Sequence, residues 1–179
     1  VSSSGIGFDK TNPAIGRYDL WVVKLDPNGD KLWDKTFGSN GFDEKCMVKQ
    51  TTDGGYIVGG EIEGFQSVRA ADYVVIRISA DGTKLWEKVL GGSGRDVFTT
   101  IETTKDSGFL VGGFSDTNAD GDKSGGSELN PSKEYSRMRD YWVLKLTSTG
   151  IIEWERTIGG LFFDAGGYYS GASFLTSTC

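Results

Sequence analysis

The chain has 179 residues, a formal net charge of −6 and no histidine. This length suffices for one domain with its own hydrophobic core. The lack of histidine excludes Ser-His-Asp and Cys-His catalytic sets and histidine-ligated zinc sites. The acidic balance argues against nucleic acid or an anionic membrane as partner. No apolar run is long enough to span a bilayer, so we expect no membrane insertion.

A module of the sequence occurs three times without gaps, beginning at Asp19, Asp72 and Asp140. In each copy a glycine follows the first aspartate by 10 residues and a tryptophan by 14. A second glycine follows by 19 and a second aspartate by 24. A repeat with a period of tens of residues indicates an array, a solenoid or a propeller. The tryptophans are Trp33, Trp86 and Trp154, the second glycines are Gly38, Gly91 and Gly159, and the second aspartates are Asp43, Asp96 and Asp164.

The first strand of each module is apolar on both faces, which predicts a strand that is covered on both sides. It ends in a basic residue that we expect to reach solvent. After a glycine turn comes a second strand, whose acidic residue (Asp34, Glu87 or Glu155) is typical of an exposed sheet edge. Two further strands follow the second glycine, and their paired glycines predict close backbone approach.

Four short antiparallel strands per unit are typical of a propeller blade. We therefore predict an all-β chain of about three blades, two of them complete. In the first complete blade the strand order is Cys46–Thr52, Tyr56–Ile62, Asp72–Ser79 and Lys84–Leu90; the second runs from Val97 to Ile158. The domain boundaries are a half blade at 1–44, blades at 45–91 and 96–159, a long loop at 115–139 and a partial blade at 160–179.

The pattern of Asp-(Leu/Tyr)-Trp-Val-Val-Lys-Leu, a Gly turn, Trp, Gly-Gly and Thr-Thr-Asp-Gly-Gly-Tyr-Ile-Val-Gly-Gly resembles the exported β-propeller repeats of Bacteroidota surface proteins. The resemblance runs from about Asp19 to Asp164. It implies an extracellular or cell-surface protein that serves in binding, adhesion or scaffolding, with protein or carbohydrate partners. Closed propellers have four to eight blades. We therefore expect the rest of a longer chain, or another subunit, to complete the end blades.

One loop carries oxygen-bearing side chains at alternate positions followed by glycine, as calcium loops do at their start. Its candidate calcium ligands are Asp116, Asn118, Asp120 and Asp122. The twelfth position is Ser127 rather than a bidentate acid, so the segment is not an EF-hand. The alternative is a solvated Asp/Asn/Gly turn.

The aspartates that recur in every copy are expected to cap turns, because a catalytic pair occurs once per site. The recurring tryptophans are expected to pack between blades, with sugar stacking as the alternative for any that is exposed. We therefore predict no catalytic residues and no enzymatic activity. The alternative is a carboxylate-dependent glycoside-active enzyme that uses Glu61, Glu63 or Glu128, which requires two carboxyl groups across a cleft. The two cysteines, Cys46 and Cys179, permit one disulfide, and the alternative is two free thiols.

Overall fold

The computed structural model describes residues 1–63, 71–125 and 139–159, which form ten β-strands and no helix. Within these ranges no helix has the length and apolarity needed to cross a bilayer. Glu128, Asp164 and the predicted partial blade at 160–179 lie outside the described residues. The strands are β1 (Leu20–Leu25), β2 (Lys31–Phe37), β3 (Asp43–Gln50), β4 (Tyr56–Glu63), β5 (Ala71–Ile78), β6 (Lys84–Leu90), β7 (Asp96–Thr103), β8 (Phe109–Ser115), β9 (Asp140–Leu146) and β10 (Ile152–Ile158).

The strands form three antiparallel sheets in chain order. β1 pairs with β2 in the first sheet, β3 to β6 form a four-stranded sheet here called blade A, and β7 to β10 form blade B. Strand order within both blades follows the sequence, β3-β4-β5-β6 and β7-β8-β9-β10. The prediction of an all-β fold with four-stranded antiparallel, propeller-like blades is confirmed.

The blades are held together by strand β5, which is apolar on both faces. Val74, Ile76 and Ile78 pack toward the first sheet. Tyr73 and Val75 point the other way, into the core shared with blade B. All five side chains are buried. Burial of each such side chain is worth about 1.5–3 kcal/mol, so each sheet stabilises the next.

The paired glycines of β4 lie where neighbouring elements approach most closely. A Cβ at Gly59 would lie 2.5 Å from the ring of Phe98, and a Cβ at Gly60 would lie 2.9 Å from Leu20. Side chains at these positions would push blade B and the first sheet away. The sequence predicts close backbone approach; at β4 the nearest atoms belong to side chains of the adjoining sheets, whereas at Gly113 of β8 the nearest atom is the backbone carbonyl oxygen of Val97.

Two of the three recurring tryptophans, Trp33 and Trp86, join one sheet to the next, as predicted. The indole Nε1 of Trp33 donates to the carbonyl of Ala80 at 3.2 Å, and that of Trp86 donates to the carbonyl of Ser148 at 3.1 Å. Both acceptors lie in the β-turn of the following blade. The glycine two residues after the acceptor in each turn, Gly82 or Gly150, lies against the indole ring of the same tryptophan. The contact is therefore a repeated joint between a tryptophan and a glycine turn.

The second strand of each module lies at a sheet edge, as predicted, but in two of the three copies its acidic residue does not serve as an exposed charge. The indole Nε1 of Trp21 donates to Asp34 at 3.1 Å, and that of Trp142 donates to Glu155 at 2.9 Å. Copy two has valine at the tryptophan position, and its Glu87 instead pairs with Lys84 at the surface. The role of the acidic residue therefore depends on whether the first strand of its copy carries a tryptophan that donates to it.

We predict that Glu155→Ala lowers the free energy of unfolding by about 1–3 kcal/mol, because the buried Trp142 indole loses its acceptor. The equivalent Glu87→Ala removes only a surface ion pair and is expected to change stability by less than about 0.5 kcal/mol. Urea denaturation of the two variants measures both values. Equal losses would show that the indole–carboxylate bond is not the cause.

Candidate functional site

The recurring aspartates accept hydrogen bonds from the connections between sheets. Asp19 accepts from the backbone N–H groups three and four residues before it, at 2.8 and 3.0 Å. Asp43 accepts from the backbone N–H and the hydroxyl of Ser39 at 2.7 and 2.8 Å. Asp96 accepts from the N–H of Gly92 at 3.2 Å and from Thr117 Oγ1 at 2.8 Å. These contacts agree with a capping role for the three residues.

At the junction of the blades two recurring aspartates come together, since Asp72 and Asp96 both face Gly91. Burial raises the pKa of Asp72 from 3.8 to about 6, with further contributions from the charges of Asp96 and Asp122. Burial also raises the pKa of Asp96. Two neighbouring carboxylates disfavour the state in which both are ionised, so the pair of Asp72 and Asp96 retains a proton in mildly acidic solution.

The predicted calcium segment contacts the connection between β6 and β7. Asp116 accepts from the N–H of Arg95 at 2.5 Å, Asp120 from the N–H and hydroxyl of Ser93 at 2.8 and 2.6 Å, and Asp122 from the N–H of Gly91 at 3.3 Å. No group of three or more Cys, Asp or Glu residues is arranged for a metal in the described parts of the chain. Calcium binding by these residues would have to compete with the backbone N–H groups.

The same turn occurs a second time, near the start of the chain. In both turns a buried lysine, Lys10 or Lys123, donates from its backbone N–H to the carbonyl three residues before it and from Nζ to the carbonyl six residues before it. The residue two positions before the lysine is left-handed in each, Phe8 with φ 50° and Gly121 with φ 60°. The first turn has no carboxylate at the positions equivalent to 116, 118 and 120. The lysine therefore sets the shape of this turn.

Two of the glutamates considered for catalysis, Glu61 and Glu63, are engaged internally. Glu61 is 2 % exposed, and its carboxylate lies 2.8 Å from Lys45 Nζ and 3.9 Å from the Arg95 guanidinium. Burial raises the pKa of Glu61. Glu63 accepts a 3.2 Å hydrogen bond from the N–H of Phe42. Neither carboxylate faces the groove described next.

A groove of about 300 Å3 opens between blades A and B at the end where their turns lie. We call it the junction groove. Its apolar residues are Leu85, Trp86 and Phe109, and its one ion pair is Asp53–Arg77. The remaining lining residues carry hydroxyl groups: Thr51, Thr52, Thr103, Thr104, Ser107, Ser148 and Thr149.

Arg77 forms part of the wall of the junction groove, where Asp53 holds it. The basic residue at the end of the first strand was expected to reach solvent, but Arg77 is buried, and its guanidinium contacts both oxygens of Asp53 at 2.6 and 2.5 Å. Lys145, at the same position, is buried beside Asp106 at 2.8 Å. That prediction is wrong for these two residues, because the turn aspartate of the neighbouring strand attracts them.

The corresponding place at the first junction is occupied. There the basic residue is Lys24, whose Nζ lies 5.9 Å from the Trp33 ring centroid and 5.4 Å from that of Tyr56. Lys24 Nζ also donates to the carbonyl of Ala80 at 3.2 Å. The signal for the junction groove in the sequence is the pair of threonines that precedes each Asp-containing turn, Thr51–Thr52 and Thr103–Thr104.

The chain matches no protein-family model, and no curated protein shows significant similarity to it. The assignment of function therefore depends on the chemistry of these sites.

We predict that stability contributed through Asp72 falls as the pH rises. Its folded pKa lies above the ordinary value, so this contribution is complete below about pH 4 and is lost as the pH passes 6. Asp72→Asn should raise the free energy of unfolding at pH 8 by up to about 3 kcal/mol, and the melting temperature with it. At pH 4 it should give no such gain. Thermal melts across pH measure this. Asp30→Asn, at an exposed site, is the control; a pH-independent gain for Asp72→Asn would contradict the prediction.

The calcium prediction is tested best at Asn118, because no hydrogen bond of its side chain is present in the described structure. Millimolar calcium is expected to raise the melting temperature of the protein, since a ligand that binds only the folded state stabilises it. Asn118→Ala should reduce this rise, and magnesium should not reproduce it. A melting temperature that calcium leaves unchanged would favour the solvated turn, in which the carboxylates serve only the backbone.

Proposed function

We propose that this protein is a non-catalytic β-propeller module that is exported to the cell surface, where it serves in binding, adhesion or scaffolding. The observation that carries the proposal is that Asp19, Asp43, Asp96 and Glu61, which could be mistaken for catalytic acids, have structural partners. Asp19, Asp43 and Asp96 cap backbone groups, while Glu61 is buried beside Lys45. Export is supported by the repeat resemblance alone.

The partners we propose are proteins or carbohydrates at the surface, and further blades, from the rest of a longer chain or from another subunit, that pack on the outer face of blade B. Phe37, Leu90 and Ile158 occupy the same position in the three copies. Phe37 is 8 % exposed and Leu90 is 2 % exposed, whereas Ile158 is 56 % exposed. Trp154 is likewise more exposed than its counterparts Trp33 and Trp86. The outer face of blade B thus presents the contact surface that the other two sheets bury.

The alternative of a glycoside-active enzyme requires two carboxyl groups about 5–10 Å apart across a cleft. The junction groove contains one carboxylate, Asp53, which is paired with Arg77. Affinity electrophoresis in gels containing bacterial polysaccharides, combined with an assay for released reducing ends, separates the two functions. We expect retardation without hydrolysis. Hydrolysis that is lost in Glu61→Gln and kept in the exposed control Glu44→Gln would establish the enzyme instead.

We predict that the outer face of blade B drives association. Ile158→Asp should reduce the concentration-dependent association of the protein and its binding of an apolar dye, with little change in melting temperature, because Ile158 is exposed within the chain. The control is Ile151→Asp, at a position where the other copies carry the exposed residues Asp30 and Thr83. Sedimentation velocity measures the association. A protein that remains monomeric and binds no dye would show that the face needs no partner.

A further inference from the structure

We propose that the junction groove binds a neutral saccharide. This inference rests on the proposed function of a binding module and assigns that function a place and a ligand class. It concerns the described residues between blades A and B.

The floor of the junction groove suits the apolar face of a sugar ring. Trp86 is half-buried and lies edge-to-face with the buried Phe109, with ring centroids 6.0 Å apart. The neighbouring Leu85 is 57 % exposed. The hydrogen bond from Trp86 Nε1 to Ser148 and the contact with Gly150 fix the indole in place. A rigid aromatic side chain of this kind provides contact area at a low entropic cost.

The rim of the junction groove carries hydroxyl groups that are available to a ligand. Thr52, Thr103, Ser107 and Ser148 are exposed, and within the described structure their hydroxyls make no hydrogen bond. A hydroxyl group both donates and accepts, which matches the hydroxyl groups of a sugar. The pattern of a few polar groups around an apolar floor is typical of a small-ligand site.

The charges of the junction groove favour a neutral ligand that is bound without being cleaved. Asp53 and Arg77 are joined through two contacts and neutralise each other. An anionic or cationic ligand would have to break this pair to find a counter-charge. Only one carboxylate lines the groove among the described residues, whereas glycoside hydrolysis requires two.

The first junction provides a matched site in which binding is not expected. Trp33 and Tyr56 there correspond to Trp86 and Phe109. Lys24 extends over both rings, and its Nζ donates to the carbonyl of Ala80 in blade A. Two junctions of the same design therefore differ in whether their aromatic residues are accessible.

The experiment follows the indole N–H resonances of the five tryptophans by NMR during titration. The probes are glucan hexasaccharides with β-1,4, β-1,3 or α-1,4 linkages, and a neutral Ser/Thr-rich decapeptide. We expect at least one hexasaccharide to shift the Trp86 resonance while the Trp33 resonance stays unchanged. Thr103→Tyr, which fills the groove, should weaken binding at least tenfold. Gln50→Tyr, at the same position of the first junction, should bind as the unmodified protein does.

Thr103→Val removes the hydroxyl without adding bulk and keeps the test valid if the larger side chain disturbs folding; it should also weaken binding. The inference is overturned if no hexasaccharide shifts Trp86, if the decapeptide alone does so, or if both Thr103 variants bind normally. Retardation by a polysaccharide that persists in the Thr103 variants would overturn the groove assignment and leave the proposed function intact. Cleavage of the hexasaccharide would overturn the proposed non-catalytic function and leave the location of binding supported.

Discussion

The fold depends on the coverage of sheets that are apolar on both faces. Strand β5 has no polar face to turn to solvent, since Val74 and Ile76 point to the first sheet while Tyr73 and Val75 point to blade B. A sheet of this kind is stable only between two neighbours, so its folding free energy belongs to the interfaces as much as to the sheet. The glycines of β4 permit the close packing that these interfaces need, and the tryptophan–turn hydrogen bonds fix the position of each sheet relative to the next.

The polar chemistry of the chain follows from this packing. Stacked sheets bury the ends of their strands, and the backbone N–H groups of the connecting segments then require acceptors. Asp19, Asp43 and Asp96 supply them. The cost is that carboxylates are brought together, as at Asp72 and Asp96, where the pKa of Asp72 rises to about 6. The proximity of Asp72 and Asp96 is thus a consequence of how the junction is built and gives no indication of catalysis.

The sequence predicted those features that repeat within the chain or depend on local pattern. The spacing from Asp72 to Trp86 and Asp96 was sufficient to predict the blades, their strand order and the capping aspartates. It was not sufficient for contacts that depend on the pairing of distant strands. The partner of Arg77 lies 24 residues away on the turn that precedes β4, and the acceptor of the Trp142 indole, Glu155, lies on the neighbouring strand β10. The junction groove depends on such a contact and was therefore missed.

Arg77 and Lys24 occupy the same position in the repeat, yet the first leaves its junction open and the second covers its aromatic residues. Arg77 is held by Asp53, an exposed carboxylate on the turn between β3 and β4 of its own sheet, whereas the sheet of Lys24 consists of β1 and β2 among the described residues. In the binding role proposed above, the partner of this one basic residue would decide whether the aromatic residues of a junction can reach a ligand. The number of binding sites in an array of this design would then differ from its number of blades, although every blade keeps the same scaffold.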